Sequence, residues 1–151
     1  MINHTFLLNE GIWKGEGYYS DKEDNMIPMR GETIVTHLDN LWVIESKMIL
    51  RKSEPEEIIN KYQIKPFKEG AVLTTWESYN QSLGKLTGNF VIQDQYIISI
   101  YDSKESSGTE YLQKIDGEHY KNRGLFYMGQ QRVASWSMDL ILQKKIVELM
   151  H

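Results

Sequence analysis

The chain has 151 residues, of which 40% are hydrophobic and 25% charged, with a formal net charge of −4 and no cysteine. That length suits one domain with a substantial core, and four Trp, nine Tyr and four Phe are too rich an aromatic load for a disordered chain. The acidic balance excludes a general affinity for nucleic acid or anionic membrane, and the missing cysteine excludes disulfides, thiolate metal sites and a cysteine nucleophile.

Met1 to Glu10 carries no basic stretch and a single three-residue apolar run, too short for a signal peptide. No window reaches the roughly 20 apolar residues that span a bilayer, so a soluble cytoplasmic protein is expected. The first eight residues are expected to form a short helix plugging one end of the fold, with Phe6, Leu7 and Leu8 buried. Asp21 to Met29 is polar and contains Pro28, which predicts a longer connection.

From there, period-2 alternation dominates. Trp42, Ile44, Ser46, Met48 and Leu50 fall on one face, with Val43, Glu45 and Lys47 on the other. The same pattern recurs through Val72–Tyr79, Leu86–Ile92, Tyr96–Tyr101 and Val133–Leu142, filled with β-branched and aromatic residues, as pleated surfaces prefer. Turn residues punctuate the runs at Asp39-Asn40, Ser82-Leu83-Gly84, Asp94-Gln95, Ser106-Ser107-Gly108 and Gly129-Gln130. Asp116-Gly117 predicts a type I′ hairpin, whose central residues need φ > 0. Ser53-Glu54-Pro55-Glu56 resembles a helix start, but Ile58-Asn60-Tyr62-Ile64 alternates like a strand, and strand is the preferred reading. Gln143 to His151 finishes the last strand or turns helical.

Runs between turns number about ten, at spacings of roughly 8–15 residues, the pattern of a sandwich or closed barrel. Closure removes exposed edges. The expectation is therefore all-β: residues 1–151 as one antiparallel up-and-down barrel, wide enough to enclose a small ligand.

Gly11-Ile12-Trp13-Lys14-Gly15-Glu16-Gly17 reads G-x-W-x-G-x-G. This resembles the opening strand of the calycin group, to which lipocalins, fatty-acid-binding proteins and avidins belong. The doubled glycines after the Trp are most similar to nitrobindin-like barrels. Trp13, Gly15 and Gly17 share one face, so that a large ring closes the barrel floor while glycines permit tight curvature. The resemblance implies an arginine from a late strand packed across the Trp13 ring, and Arg123 is the choice over Arg132. It also implies a haem-ligating histidine near the C-terminal strands. Val133 to Leu142 contains none, and haem, which needs an imidazole inside the pocket, is not expected.

His37 lies in a strand without a second histidine at i+2 or i+4, so no metal site is expected. Glu45, Glu77 and Glu110 interrupt alternating runs. With the ring-rich faces inward, Glu45 and Glu77 are solvated; with the opposite faces inward, carboxylates meet Arg123 and tyrosines inside the barrel. The sequence leaves that facing open. Ser135 and Ser137 lack a nucleophile elbow, and Gly15-x-Gly17 lacks the following helix that a phosphate loop uses.

The leading expectation is binding of a small hydrophobic or amphipathic molecule in the cavity. The candidate lining is Trp42, Trp76, Phe90, Tyr101, Tyr111, Phe126 and Trp136, some of them plain core, with Trp13, Gly15, Gly17 and Arg123 structural. The alternative is an isomerase- or lyase-type enzyme using a buried Glu as acid or base. A third class is an interaction module, including a homodimer, using exposed rings such as Tyr18 and Tyr127.

Overall fold

A computed structural model describes residues 3–80 and 83–144. The alternating runs become ten strands: β1 (Gly11–Ser20), β2 (Met26–Leu38), β3 (Leu41–Leu50), β4 (Glu56–Ile64), β5 (Leu73–Asn80), β6 (Gly84–Gln93), β7 (Tyr96–Asp102), β8 (Ser106–Asp116), β9 (His119–Met128) and β10 (Gln131–Lys144). Each pairs antiparallel with its neighbours in sequence, and β1 pairs with β10 to close the barrel. The expected all-β, up-and-down barrel is what forms.

The ring-rich faces point inward. On β1 the inner row is Trp13, Gly15, Gly17 and Tyr19; on β3 it is Ile44, Ser46, Met48 and Leu50; on β10 it is Ala134, Trp136, Met138 and Leu140. Glu45 and Glu77 therefore sit outside, exposed, and Glu77 pairs with Lys85 at 3.3 Å.

Several local expectations change. Residues 6–8 form a turn rather than a helix, although Phe6 and Leu7 are buried at the barrel's floor as expected. Pro28 lies inside β2, near its start, and the connection before it is only Asp21–Asn25. The Asp21 carboxylate tightens that connection by accepting the amides of Glu23 (3.0 Å) and Asn25 (2.9 Å), an Asx-type turn that needs no extra length. The hairpin at Asp116-Gly117 exists, but neither residue has positive φ. Asp116 Oδ1 instead accepts the Glu118 amide at 2.8 Å, which supplies the turn bond by side chain. Ser53 starts no helix, and strand β4 follows it. The Ser82 turn position and residues 145–151 fall outside the described residues.

Candidate functional site

One end of the barrel is closed by a floor of packed rings. Trp13 is 0% exposed and meets Phe6 and Tyr120 edge-to-face, each with ring centroids 5.4 Å apart. The Tyr120 hydroxyl lies 2.8 Å from His4 Nδ1 and accepts the Thr5 amide at 3.1 Å. His37 reaches the Leu7 carbonyl with Nε2 at 2.7 Å and stacks on Trp42 at 4.0 Å. The N-terminal turn is thus pinned across the barrel by two histidines and a tyrosine.

Above Phe6 lies a cavity of about 440 Å³ that extends to Leu83 and Met128 at the opposite rim. One wall is aromatic. Trp76 sits edge-on to Tyr62 (5.0 Å) and Tyr101 (6.0 Å), with Phe90 at 6.4 Å, and Tyr101 lies 6.5 Å from Phe126. The facing wall is aliphatic and thioether, with Met29, Ile44, Met48, Met138 and Leu140. Met and aromatic side chains together give an adaptable apolar lining.

Three of the rings are seated by glycines. Trp76 faces Gly88 across β5 and β6, Tyr101 faces Gly108 across β7 and β8, and Trp136 faces Gly124 across β9 and β10. A Cβ at these glycines would stand 2.3, 2.3 and 2.1 Å from the facing ring. Each ring therefore lies along the wall over its neighbour strand, and this keeps the barrel's centre empty.

Besides Ser78 on β5, two polar clusters break the apolar surface. Thr33, Ser46 and Asn60 are register partners on β2, β3 and β4, and Thr33 Oγ1 donates to Ser46 Oγ at 3.2 Å. The other centres on Glu110, which lines the cavity. Its Oε2 accepts the Trp136 indole N–H at 2.8 Å. Burial pushes the Glu110 carboxyl above the usual carboxylate range, and hydrogen bonds from Asn122 and Trp136 offset part of that push. Burial likewise raises the Tyr62 phenol, with the Glu110 charge adding to it. The Tyr101 hydroxyl is buried without a hydrogen bond of normal geometry, although Ser106 tempers the upward push of burial on it.

Five of the seven predicted lining residues, Trp76, Phe90, Tyr101, Phe126 and Trp136, come together around this cavity. Trp42 does not line it; it covers the floor between His37 and Phe67. Tyr111 is on the outer face of β8, edge-on to Tyr96 at 5.7 Å, because Glu110 and Leu112 take the inner positions. Arg123 is exposed on the outer face of β9, so the expected cation–π partner of Trp13 is replaced by Phe6 and Tyr120. The interior carboxylate exists, but a Trp indole takes the role foreseen for the arginine. Gly15 and Gly17 face inward as expected, and Gly17 allows the closer approach of the two: a Cβ there would lie 2.0 Å from the Ser137 carbonyl oxygen. The Thr33–Ser46–Asn60 row and Asn122 were not singled out from the sequence, although each shares a strand face with apolar residues.

No protein-family model matches the chain, and no curated protein matches its sequence. Among solved structures, the barrel is similar to the S-type phycobiliprotein lyase CPES from Guillardia theta, at 7% identity, with 89% of this chain and 88% of that one covered and a TM-score of 0.64. It is also similar to Rv2717c from M. tuberculosis, at 13% identity over 92% and 94% of the two chains, with a TM-score of 0.62. At these identities the likeness shows the fold alone, a closed ten-stranded antiparallel barrel.

Proposed function

We propose that this calycin-like barrel binds one small, largely apolar or amphipathic organic molecule in its interior. The observation that carries the reading is the cavity of about 440 Å³, mostly apolar on both walls, with its polar groups at Glu110 and Asn122, at the Thr33–Ser46–Asn60 row, at Ser78 and at the tyrosine hydroxyls. Binding sites for small molecules have this composition, with apolar walls for affinity and sparse polar groups for orientation. A core meant only for stability would be filled at close-packed density, whereas here glycines hold three rings against the wall.

Native mass spectrometry of the protein as purified tests this directly, with an adduct of discrete mass expected. The variant Ala134→Phe, which projects a ring into the cavity from β10, should fold and lose the adduct. A protein that carries no adduct, and gives no saturable change in Trp76 and Trp136 fluorescence with any amphiphile, would overturn the reading.

A second reading is chemistry in the same cavity, and Glu110 favours it. A carboxyl held above its usual range beside a tyrosine is the arrangement that general acid catalysis uses. That a phycobiliprotein lyase has this fold is compatible with either reading, since one fold hosts many functions. Conversion of the captured molecule by wild type and its survival in Glu110→Gln would favour the enzyme.

A further inference from the structure

We propose that the cavity selects a ligand carrying a basic nitrogen, whose cation sits against the Glu110 carboxylate while its apolar body lies between the aromatic and methionine walls. This deepens the binding reading and rests on it.

Glu110 is the one charged side chain among the described residues that line the cavity, and no Lys or Arg lies there. Arg123, on the late strand β9, is exposed on the outer face and does not compensate it. The groups around Glu110 are neutral: Tyr62 from β4, its register partner Ser99 from β7, Asn122 from β9 and Trp136 from β10. The Trp136 N–H and the Asn122 amide orient the carboxyl, but they do not cancel its charge. An ionised carboxylate offers about four acceptor positions, so acceptor capacity remains towards the cavity. Removing a charge from water without a partner is costly, and pairing recovers much of that cost.

A ligand ammonium or protonated ring nitrogen supplies the missing partner through a charge-assisted hydrogen bond. The aromatic rings that line the same cavity favour a cation as well. A fatty-acid carboxylate in the same place would meet like charge at low dielectric. The cation also favours the ionised form of Glu110 that burial disfavours, so binding of a cation should strengthen as pH rises from acid towards neutral.

Calorimetric titration of wild type with decylammonium, decanol and decanoate at neutral pH tests this, because the three share one chain and differ in charge. Decylammonium should bind one-to-one and tighter than decanol by roughly tenfold or more, with decanoate weakest. In Glu110→Gln, which keeps an oxygen for the Trp136 N–H, amine and alcohol should come within about twofold of each other. The inference is overturned if decanoate matches the amine on wild type, or if the amine's preference survives in Glu110→Gln and so arises from the acidic outer surface. Equal binding of all three probes sinks this inference alone. No binding of any probe, together with no adduct on the purified protein, sinks the binding reading with it. Where the variant folds poorly, repeating the wild-type titrations at high salt decides: a preference set by the outer surface is screened away, and one set by the buried carboxylate persists.

Discussion

The indole N–H of Trp136 donates to Glu110 Oε2 at 2.8 Å across Gly124, the register partner of both residues. Glycine at that position makes the bond possible, since any side chain would occupy the space the ring crosses. Three strands thus cooperate to place one carboxyl inside a barrel whose cavity is lined by no other charged side chain among the described residues.

That placement has a pH signature. Burial raises the native Glu110 carboxyl above its unfolded value of 4.5, so the native state holds this proton longer than the unfolded chain does. Its contribution to stability is full below pH 4.5 and declines as pH rises through the native value. Glu110→Gln removes the titration. The melting temperature of the variant relative to wild type should therefore increase as pH rises above 4.5 and level off beyond the native value. Parallel melting curves for the two proteins would show that Glu110 is as well solvated as a surface carboxylate.

The glycine seats predict a ranked pair of variants. Gly124→Ala puts a methyl where Trp136 Cζ2 lies 2.1 Å away, against a rigid ring. It should cost about 1–3 kcal/mol, as overpacking does, and shift Trp fluorescence as the ring is displaced into the cavity. Gly15→Ala meets the terminal methyls of Met138 and Met48 at 3.0 Å and Leu140 Cδ2 at 3.2 Å, all side-chain ends that can shift aside. Urea midpoints should place Gly15→Ala well above Gly124→Ala. The reverse order would mean that the rings are not held against the wall by the glycines.

Most of the barrel was legible because alternation with period two is a direct imprint of a two-faced strand. Parity along each strand was the harder part. On β9 the inner row Tyr120, Asn122, Gly124 and Phe126 has even numbers, so Phe126 and Arg123 cannot both face the interior, and the burial of the aromatic residues decides against the arginine. On β8 the choice lay between Tyr111 and Glu110, and hydrophobicity pointed to the tyrosine. Register decided otherwise: Glu110 is opposite Ser99 and Gly124, and Ser99 is buried while Gly124 lies under the Trp136 ring. Trp42 has inward parity but sits at the floor, a distinction that depends on where the N-terminal turn docks. Partners across strands are set by closure of the whole sheet, and no single run of residues encodes them.

The floor can be tested independently of the ligand. The Tyr120 hydroxyl accepts the Thr5 amide and bonds to His4 Nδ1. Tyr120→Phe keeps the ring packing on Trp13 but leaves these buried groups without their partner, at a cost of about 1–3 kcal/mol. Hydrogen exchange at the Leu8 amide, which donates to the Phe6 carbonyl at 2.8 Å, should quicken as the turn loosens. Unchanged stability and exchange would show that apolar packing alone holds the turn.

His4 gives the same latch a dependence on acid. Its Nε2 donates to the Asp94 carbonyl at 2.8 Å, which leaves Nδ1 as the acceptor for the Tyr120 O–H. This arrangement requires the neutral ring, because a protonated imidazole has no acceptor. Burial is the largest cause that lowers the native His4 value below 6.5, with the Lys114 charge adding to it and the Asp94 hydrogen bond opposing it. The stability that depends on neutral His4 is therefore complete above pH 6.5 and is lost as pH falls below it, the opposite direction to Glu110. His4→Gln offers both a donor and an acceptor without titrating. It should be less stable than wild type near pH 8, and the gap should narrow on acidification to about pH 5. Leu8 exchange protection in wild type should fall over the same interval, before global unfolding, since the turn is held by these few bonds. A gap that stays constant with pH would place the proton-sensitive group elsewhere in the barrel.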